Sequence, residues 1–270
     1  KSALDMIAHP RLSLLQSLGL TMDGVEGRQA TRLKIAFPLL KDLKAEDVLL
    51  SATSDIRDLS VKSAFRGMPI DNGRIALTVN NESLSASGEA VYANTATSFK
   101  WTEDFSGRRP IKRRLDTRFI AGTQQAKLFD IHFPEIFDGS APIQLVYEER
   151  RDNTAVLSAG LDLQDVKISL PGLDWVKLPG LPGTAQVSAS LRDGAIITVD
   201  HFQLDSGIFS MIGEITFATR EERKGQEIAT LRLKKFKLGL TEFSANIQKE
   251  DPEGYSIAVN GRGLDASPFL

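Results

Sequence analysis

Few side chains in this sequence combine the types and the spacing that acid–base or metal chemistry requires. The three histidines, His9, His132 and His201, lie in different stretches of the chain, and none has a partner at metal-ligand spacing. Glu148 and Glu149 are adjacent at the end of an alternating stretch, so in a strand they point to opposite faces and cannot act together on one substrate. We therefore expect neither a metal site nor a catalytic carboxylate pair.

Motifs for covalent or phosphate chemistry are missing as well. The chain has no cysteine, which excludes disulfides, thiol nucleophiles and thiolate metal sites. It has no Gly-x-Ser-x-Gly elbow, and "GRGLD" (261–265) lacks the lysine that follows a phosphate-binding glycine loop. The sequence thus predicts a protein that is not an enzyme and that needs no cofactor.

One cluster of charges has the chemistry to bind a ligand. The segment "SGRRPIKRRLDTR" (106–118) concentrates basic side chains, and two interpretations of it are open. It is either a solvated hairpin followed by a strand with a basic outer face, or a contact for anionic lipid head groups, where each basic residue adds about 1 kcal/mol. The head-group interpretation involves Arg108, Arg109, Lys112, Arg113 and Arg114, with Arg118 at the end of the cluster.

Charge and apolar patterning exclude one class of partner and two classes of segment. A net charge of −2 and an isoelectric point near 6.0 do not fit a nucleic-acid-binding protein. The apolar runs are far shorter than the roughly 18 residues that span a bilayer, and no signal-peptide pattern opens the chain. Because the sequence starts at Lys1 and stops in "GRGLDASPFL", we interpret it as a fragment. If the protein is attached to a membrane or exported, we expect the segment responsible to lie outside these residues.

The elements that carry these side chains are predicted to be strands. Apolar and polar residues alternate with period two through most of the chain, which is typical of sheets with one apolar and one polar face. Turn residues at "DNGR" (71–74), "VNNES" (79–83), "RRDN" (150–153) and "LRDGA" (191–195) separate these stretches at hairpin spacing. The predicted fold class is mainly β: an antiparallel up-and-down meander in one long, curved and twisted sheet. The apolar residues expected on its inner face are Leu33, Ile35, Phe37, Leu50, Ile56, Ile75, Leu77, Val79, Leu84, Leu157, Leu161, Leu163, Val187, Leu191, Ile197, Val199, Ile247, Ile257 and Val259.

Two local departures from this pattern are predicted. In "LRLKKFKLGL" (231–240) the apolar positions change parity at Lys234 and Lys235, which indicates a β-bulge that restores the apolar face. Short helices are expected in the N-terminal segment 1–22, broken near Pro10, and in 123–133. These helices are too few to cover a large sheet.

A repeated phrase suggests an internal duplication. "LLSATSDIRDLSVK", which starts at Leu49, resembles "VLSAGLDLQDVKIS", which starts at Val156, and each is followed by a Gly-x-Pro turn and further strands. The alternative is that two amphipathic strand pairs converged on similar residues. The duplication divides the chain into the N-terminal segment, a first repeat over 23–150 and a second repeat over 151–270 of one continuous sheet.

An apolar sheet face needs a cover, and helices are scarce here. Two solutions remain: the sheet closes on itself as a filled sandwich or barrel, or it forms a trough whose apolar wall is occupied by an apolar ligand. The inner positions are mostly Ala, Val, Ile and Leu, and aromatic residues make up only 7% of the chain, which would fill a wide sandwich poorly. The composition favours the trough and leaves the sandwich open.

Several phrases resemble a known family. "GRQATRLKIAFPLLKDLKAEDVLLSATSDIRDLSV" (27–61) and "GRIALTVNNESLSASGEAVYANTATSFKWTEDF" (73–105) resemble the AsmA-like superfamily of Gram-negative envelope proteins, and are most similar to its YhdP-type members. The likeness rests on "FPLL", the "LxASGEA" hairpin and "FKWTEDF", and it covers most of residues 20–170. These are structural turns and strands, and the family has no catalytic residue to transfer.

The resemblance implies a function and a place in the cell. It implies a periplasmic protein, anchored to the inner membrane by a segment not present here, whose hydrophobic groove carries phospholipid toward the outer membrane and so supports outer-membrane biogenesis. On this hypothesis the inner-face residues contact acyl chains, and the partners are phospholipid and the two membranes. The alternative is a structural or interaction β-sandwich module of an envelope protein, without lipid cargo.

Overall fold

The computed structural model describes seven stretches of the chain and four further single residues. The stretches are 24–39, 47–64, 67–122, 135–170, 175–218, 227–250 and 254–263, together with the isolated residues 42, 44, 125 and 173. The helices predicted for 1–22 and for 123–133 lie outside the described residues, apart from Gln125.

The described residues form seventeen strands, labelled β1 to β17 in chain order. The first eight are β1 Val25–Ala36, β2 Leu49–Val61, β3 Ile70–Asn80, β4 Ser83–Tyr92, β5 Thr95–Asp104, β6 Ile111–Ala121, β7 Phe137–Gly139 and β8 Ala141–Arg150. The other nine are β9 Thr154–Asp162, β10 Val166–Leu170, β11 Trp175–Lys177, β12 Thr184–Arg192, β13 Ala195–Ser206, β14 Phe209–Ala218, β15 Glu227–Leu238, β16 Thr241–Glu250 and β17 Gly254–Gly263.

Fourteen of the strands form one sheet in the order β1-β2-β3-β4-β5-β6-β8-β9-β12-β13-β14-β15-β16-β17. Its strands pair as an antiparallel meander, and β1 and β17 are its outer strands, so the sheet is not closed. The predicted mainly-β meander is therefore confirmed. The chain also contains a second sheet of three short strands, in the order β11-β10-β7, which the sequence analysis does not predict.

Three of the four predicted turns connect strands. Asn80 accepts hydrogen bonds at Oδ1 from the backbone of Glu82 (2.9 Å) and Ser83 (2.8 Å), which closes the β3–β4 hairpin. Asn153 closes the β8–β9 hairpin with a φ of 62°. Asp193 and Gly194 have φ angles of 51° and 80° in the β12–β13 hairpin, the conformation that a two-residue hairpin loop requires.

The fourth predicted turn, "DNGR", is wrong: these residues lie inside β3. Asn72 has a φ of 53°, and the pairing of β3 with β4 shifts between Asp71 and Arg74, so the segment is a bulge rather than a hairpin. A second irregularity, at Asp58 (φ 53°), faces it in β2. Positive φ angles serve bulges and turns alike, and the residue types do not distinguish the two.

The predicted bulge in β15 is confirmed. Its register shifts between Leu233 and Phe236 against β16, and a shift at the same place occurs against β14. The extra residue keeps Leu231 and Leu233 on the same face as Phe236. The parity change in the sequence thus marks a bulge and not the end of a strand.

The chain divides into two compact units, Lys1–Phe119 and Ile120–Leu270, called unit 1 and unit 2 below. The two similar phrases, one in each unit, end differently. In unit 1, β2 runs through the irregularity at Asp58 as far as Val61. In unit 2, β9 ends at Asp162 and the chain leaves the large sheet to form β10. The duplication of whole repeats stays a prediction.

Candidate functional site

The apolar face of unit 1 is built from residues that cross-strand pairing places side by side. Paired residues of an antiparallel sheet share a face. One such row runs from Leu33 through Ala52, Val79 and Leu84, and the row beside it runs through Leu77, Ala86, Trp101 and Leu115. The predicted inner-face residues that lie on this face are Leu33, Ile35, Leu50, Ile56, Ile75, Leu77, Val79 and Leu84.

This face is only partly buried. Val79 and Leu84 are buried, Leu77 and Ile75 are half-buried, and Leu33 is 39% exposed at the outer strand. The buried pair packs against Ala52, Leu77, Ala86, Trp101 and Phe105, most of which belong to the same face. The opposite face is polar and exposed, as in the row Thr53, Thr78 and Ser85. Unit 1 therefore presents a half-open apolar surface on one side of the sheet.

Unit 2 has a larger apolar face of the same construction. One row crosses seven strands with an aliphatic side chain in each: Leu157, Ala189, Val199, Ile215, Leu231, Ile247 and Ile257. The neighbouring row contains Ala159, Val187, Phe202, Gly213, Leu233, Ala245 and Val259. Most of these residues are half-buried, and Ile257 and Val259 are about two-thirds exposed at 63% and 62%. An uncharged surface with these side chains can bind apolar chains and offers few hydrogen bonds.

The three-stranded sheet of β7, β10 and β11, called the covering sheet below, closes one end of this face. Val166 and Ile168 of β10 form one buried cluster with Leu204, Phe209 and Phe236 of the large sheet. Trp175 of β11 contacts Phe209, with ring centroids 4.9 Å apart. The face of unit 2 is thus a packed core beneath the covering sheet and half-open beyond it.

Four predicted inner-face residues have surroundings that differ from the rest. Leu163 is 4% exposed and belongs to the packed cluster beneath the covering sheet, so in this structure its neighbours are protein side chains. Phe37 follows the end of β1 and is 53% exposed. Leu191 pairs with Ile196 at a register shift that leaves Ile197 as an extra residue.

The covering sheet is fixed by a buried lysine that sequence reasoning missed. Lys177 is 1% exposed, and its Nζ donates hydrogen bonds to the carbonyl oxygens of Gln164 (3.1 Å), Val166 (2.9 Å) and Leu178 (3.3 Å). Burial lowers the pKa of this ammonium below its ordinary value, and Asp165 and Asp162 oppose the shift. In the sequence, the one indication of a buried lysine is its apolar neighbours in "WVKLPG" (175–180). Exposed lysines often have such neighbours too, so the pattern does not predict burial.

The structure separates the basic cluster into different environments. Arg108 pairs with Glu82 beside the hairpin, and Arg114 pairs with Asp116 at 3.4 Å on the polar face. Arg113 lies on the apolar face of unit 1, where it pairs with Glu103 at 3.0 Å. The guanidinium of Arg113 also stacks 5.2 Å from the ring centroid of Trp101. Arg113 therefore lies on a different face from Arg114, and head-group contact by the cluster stays a prediction.

The described residues contain neither a metal-binding cluster nor a membrane-spanning helix. Within the ranges given above, no group of three or more His, Cys, Asp or Glu side chains is arranged to hold a metal ion. No helix in that part of the chain has the length and apolarity to cross a membrane.

Comparison with protein-family models, with curated proteins and with solved structures finds no match for this chain. The resemblance to AsmA-like proteins accordingly stays a prediction from the sequence.

Proposed function

We propose that this chain is a segment of a periplasmic bridge-like protein whose apolar faces carry phospholipid acyl chains between the inner and the outer membrane. The observation that supports the proposal most is that each unit leaves an aliphatic sheet face half-open while its other face is polar. A water-soluble sheet normally buries such a face. An apolar ligand would supply the missing cover.

The energies favour an acyl chain as that ligand. Exposing one methylene to water costs about 0.8 kcal/mol, so a 16-carbon tail costs on the order of 12 kcal/mol to move through water unassisted. Rows of aliphatic side chains across successive strands, such as the one from Leu157 to Ile257, remove most of that cost. The polar head group needs no pocket on these rows, since it can stay in water at their margin.

The proposal predicts that a charge placed on an apolar face weakens lipid binding. Leu77→Asp in unit 1 and Val187→Asp in unit 2 place a carboxylate among half-buried aliphatic residues. Because an acyl chain cannot solvate that charge, we expect phospholipid that co-purifies with the chain, measured by native mass spectrometry, to fall about tenfold.

The matched controls lie one residue away on the polar face. Thr78→Asp and Ser188→Asp add the same charge to the same strands but face water or polar neighbours. They should retain bound lipid, and circular dichroism should confirm the fold of all four variants. Equal lipid content in the face variants and their controls would contradict the proposal.

The packed cluster beneath the covering sheet favours a second candidate, a structural β-sandwich module. There Phe209 and Ile168 are fully buried by protein side chains alone, as in a sandwich core. A module of this kind would purify without phospholipid and would take up none from vesicles of phosphatidylethanolamine and phosphatidylglycerol. The same mass-spectrometric measurement on the wild-type chain therefore distinguishes the two candidates.

A further inference from the structure

The apolar face of unit 1 carries a charged pair among its described residues. Along the row Val79–Leu84 the next two paired residues are Glu103 and Arg113. The side chains of Arg113 and Glu103 are only 12% and 6% exposed, and they form an ion pair at 3.0 Å. A buried ion pair of this kind is expensive to desolvate and is weak evidence of a stabilising role.

Two atoms at this site have unused hydrogen-bonding capacity. Glu103 Oε2 and the indole Nε1 of Trp101 are buried, and neither has a hydrogen-bond partner among the described residues. Trp101 and Glu103 are two apart in β5 and share a face, so a donor and an acceptor lie close together beside the Arg113 guanidinium. Leaving these buried groups unsatisfied is unfavourable, and a ligand that hydrogen-bonds to both would remove that cost.

The chemistry of the three groups identifies the ligand class. The indole N–H and the guanidinium donate to an anion such as a phosphate, whereas the free carboxylate oxygen accepts from a cation such as a primary ammonium. A phosphoethanolamine group carries both, separated by two carbons. A phosphoglycerol group has the phosphate and no ammonium.

We propose that Trp101, Glu103 and Arg113 form a binding site for the phosphoethanolamine head group of a phospholipid whose acyl chains lie on the adjacent apolar rows. The inference rests on the proposed function and deepens it, because it assigns a preferred lipid class and a place for the head group. Free phosphoethanolamine has the same polar chemistry, but the neighbouring Leu84 and Leu115 favour a molecule with apolar chains.

The chain offers an internal reporter for this site. It contains two tryptophans, Trp101 at the site and Trp175 in the covering sheet of unit 2. The two indole N–H resonances of the ¹⁵N-labelled full chain therefore report the site and a remote position in one spectrum. The probes are short-chain dihexanoyl phosphatidylethanolamine, dihexanoyl phosphatidylglycerol and free phosphoethanolamine, each titrated below its micelle concentration.

We expect dihexanoyl phosphatidylethanolamine to shift the Trp101 resonance and to leave that of Trp175 unchanged. Its Kd should be about tenfold lower than that of the phosphatidylglycerol lipid, since a hydrogen bond to a charged group contributes that much. Glu103→Gln should remove this preference while retaining lipid binding. The control Lys100→Gln, an exposed residue of β5 on the polar face, should retain the preference.

Each other outcome overturns the inference in a recognisable way. Equal shifts with both lipids, or an unchanged preference in Glu103→Gln, would mean apolar contact only and leave the proposed function standing. An equal Kd for free phosphoethanolamine would mean a soluble ligand. An unmoved Trp101 resonance in a chain that still co-purifies with phospholipid would refute the site alone, whereas no bound lipid under any condition would refute the proposed function as well.

Discussion

At the residue scale, glycines on the strands differ sharply in what a side chain would meet. A Cβ at Gly88 would overlap the carbonyl oxygen of Arg74, next to the point where the register of β3 and β4 shifts. Gly88→Ala forces the backbone of β3 to move, and we expect it to lower the free energy of unfolding by about 1–3 kcal/mol. Chemical denaturation measures the change.

Gly160 is the matched control, because a Cβ there meets nothing within 4 Å in an equally regular strand. Gly160→Ala should leave the free energy of unfolding unchanged or raise it by about 0.5 kcal/mol. If both substitutions changed the free energy of unfolding equally, the close approach of Arg74 would not explain the need for glycine at position 88.

The second residue-scale prediction concerns Lys177. Lys177→Met keeps the aliphatic stem but removes three hydrogen bonds to carbonyl oxygens, so the free energy of unfolding should fall by about 1–3 kcal/mol. Lys167→Met in the same covering sheet removes an exposed ammonium and should change it by less than about 0.5 kcal/mol.

The lowered pKa of Lys177 adds a pH dependence. The unfolded chain binds this proton more tightly than the folded chain, so stability is reduced while the ammonium is charged and is regained as the pH rises toward the ordinary value of 10.5. The difference in free energy of unfolding between wild type and Lys177→Met should therefore increase from pH 7 toward pH 10. A constant difference would show that the folded and unfolded states bind the proton equally.

At the element scale, the bulge in β15 should make this strand tolerate the deletion of one particular residue, which a regular strand would not. Deleting Lys235 leaves "LRLKFKL", in which the apolar residues alternate without a bulge and keep their partners in β14 and β16. This deletion should change the free energy of unfolding by about 1 kcal/mol or less. Deleting Lys237 instead moves Leu238 to the polar face and should cost about 2 kcal/mol or more. Equal costs for the two deletions would contradict the assigned bulge.

The length of a strand decides whether it can be predicted from the sequence. Alternation over nine or more residues, as in β4 or β12, identifies a strand and its inner face, and the parity change at Lys234 and Lys235 identifies the bulge. The covering sheet was missed because β7 and β11 have three residues each, too few for a period of two to be recognised. Its third strand, β10, was interpreted as part of the repeated phrase.

For the candidate site, the sequence predicts which face a residue lies on but not which residues cover it. Parity alone placed most of the inner-face residues, since a residue's face depends on its own strand. The covered state of Leu163 and the burial of Lys177 depend on a packing partner distant in sequence, which no local pattern reveals. The same holds for Arg113: the basic cluster was visible, but only the pairing of β5 with β6 places this arginine against Glu103.

At the scale of the whole molecule, the two units differ in how much core they bury. Within the described residues the buried cluster of unit 1 centres on Val79 and Leu84, whereas that of unit 2 includes seven buried residues in and beneath the covering sheet. We expect unit 1 to unfold at a lower urea concentration than unit 2. Trp175→Phe leaves Trp101 as a fluorescent reporter of unit 1, and Trp101→Phe leaves Trp175 as a reporter of unit 2. Coincident transitions in the two variants would instead mean that the chain unfolds as one cooperative unit.

The two outer strands differ in their protection against self-association. β1 carries Arg28, Arg32 and Lys34, all exposed, and positive charge of this kind discourages edge-to-edge pairing between molecules. From Tyr255 to Gly261, β17 has no charged side chain, and Tyr255, Ile257 and Val259 are each more than half exposed. In concentrated solution, copies of this chain should therefore aggregate through β17 first, and a lysine substituted for Ser256 on its polar face should keep them apart.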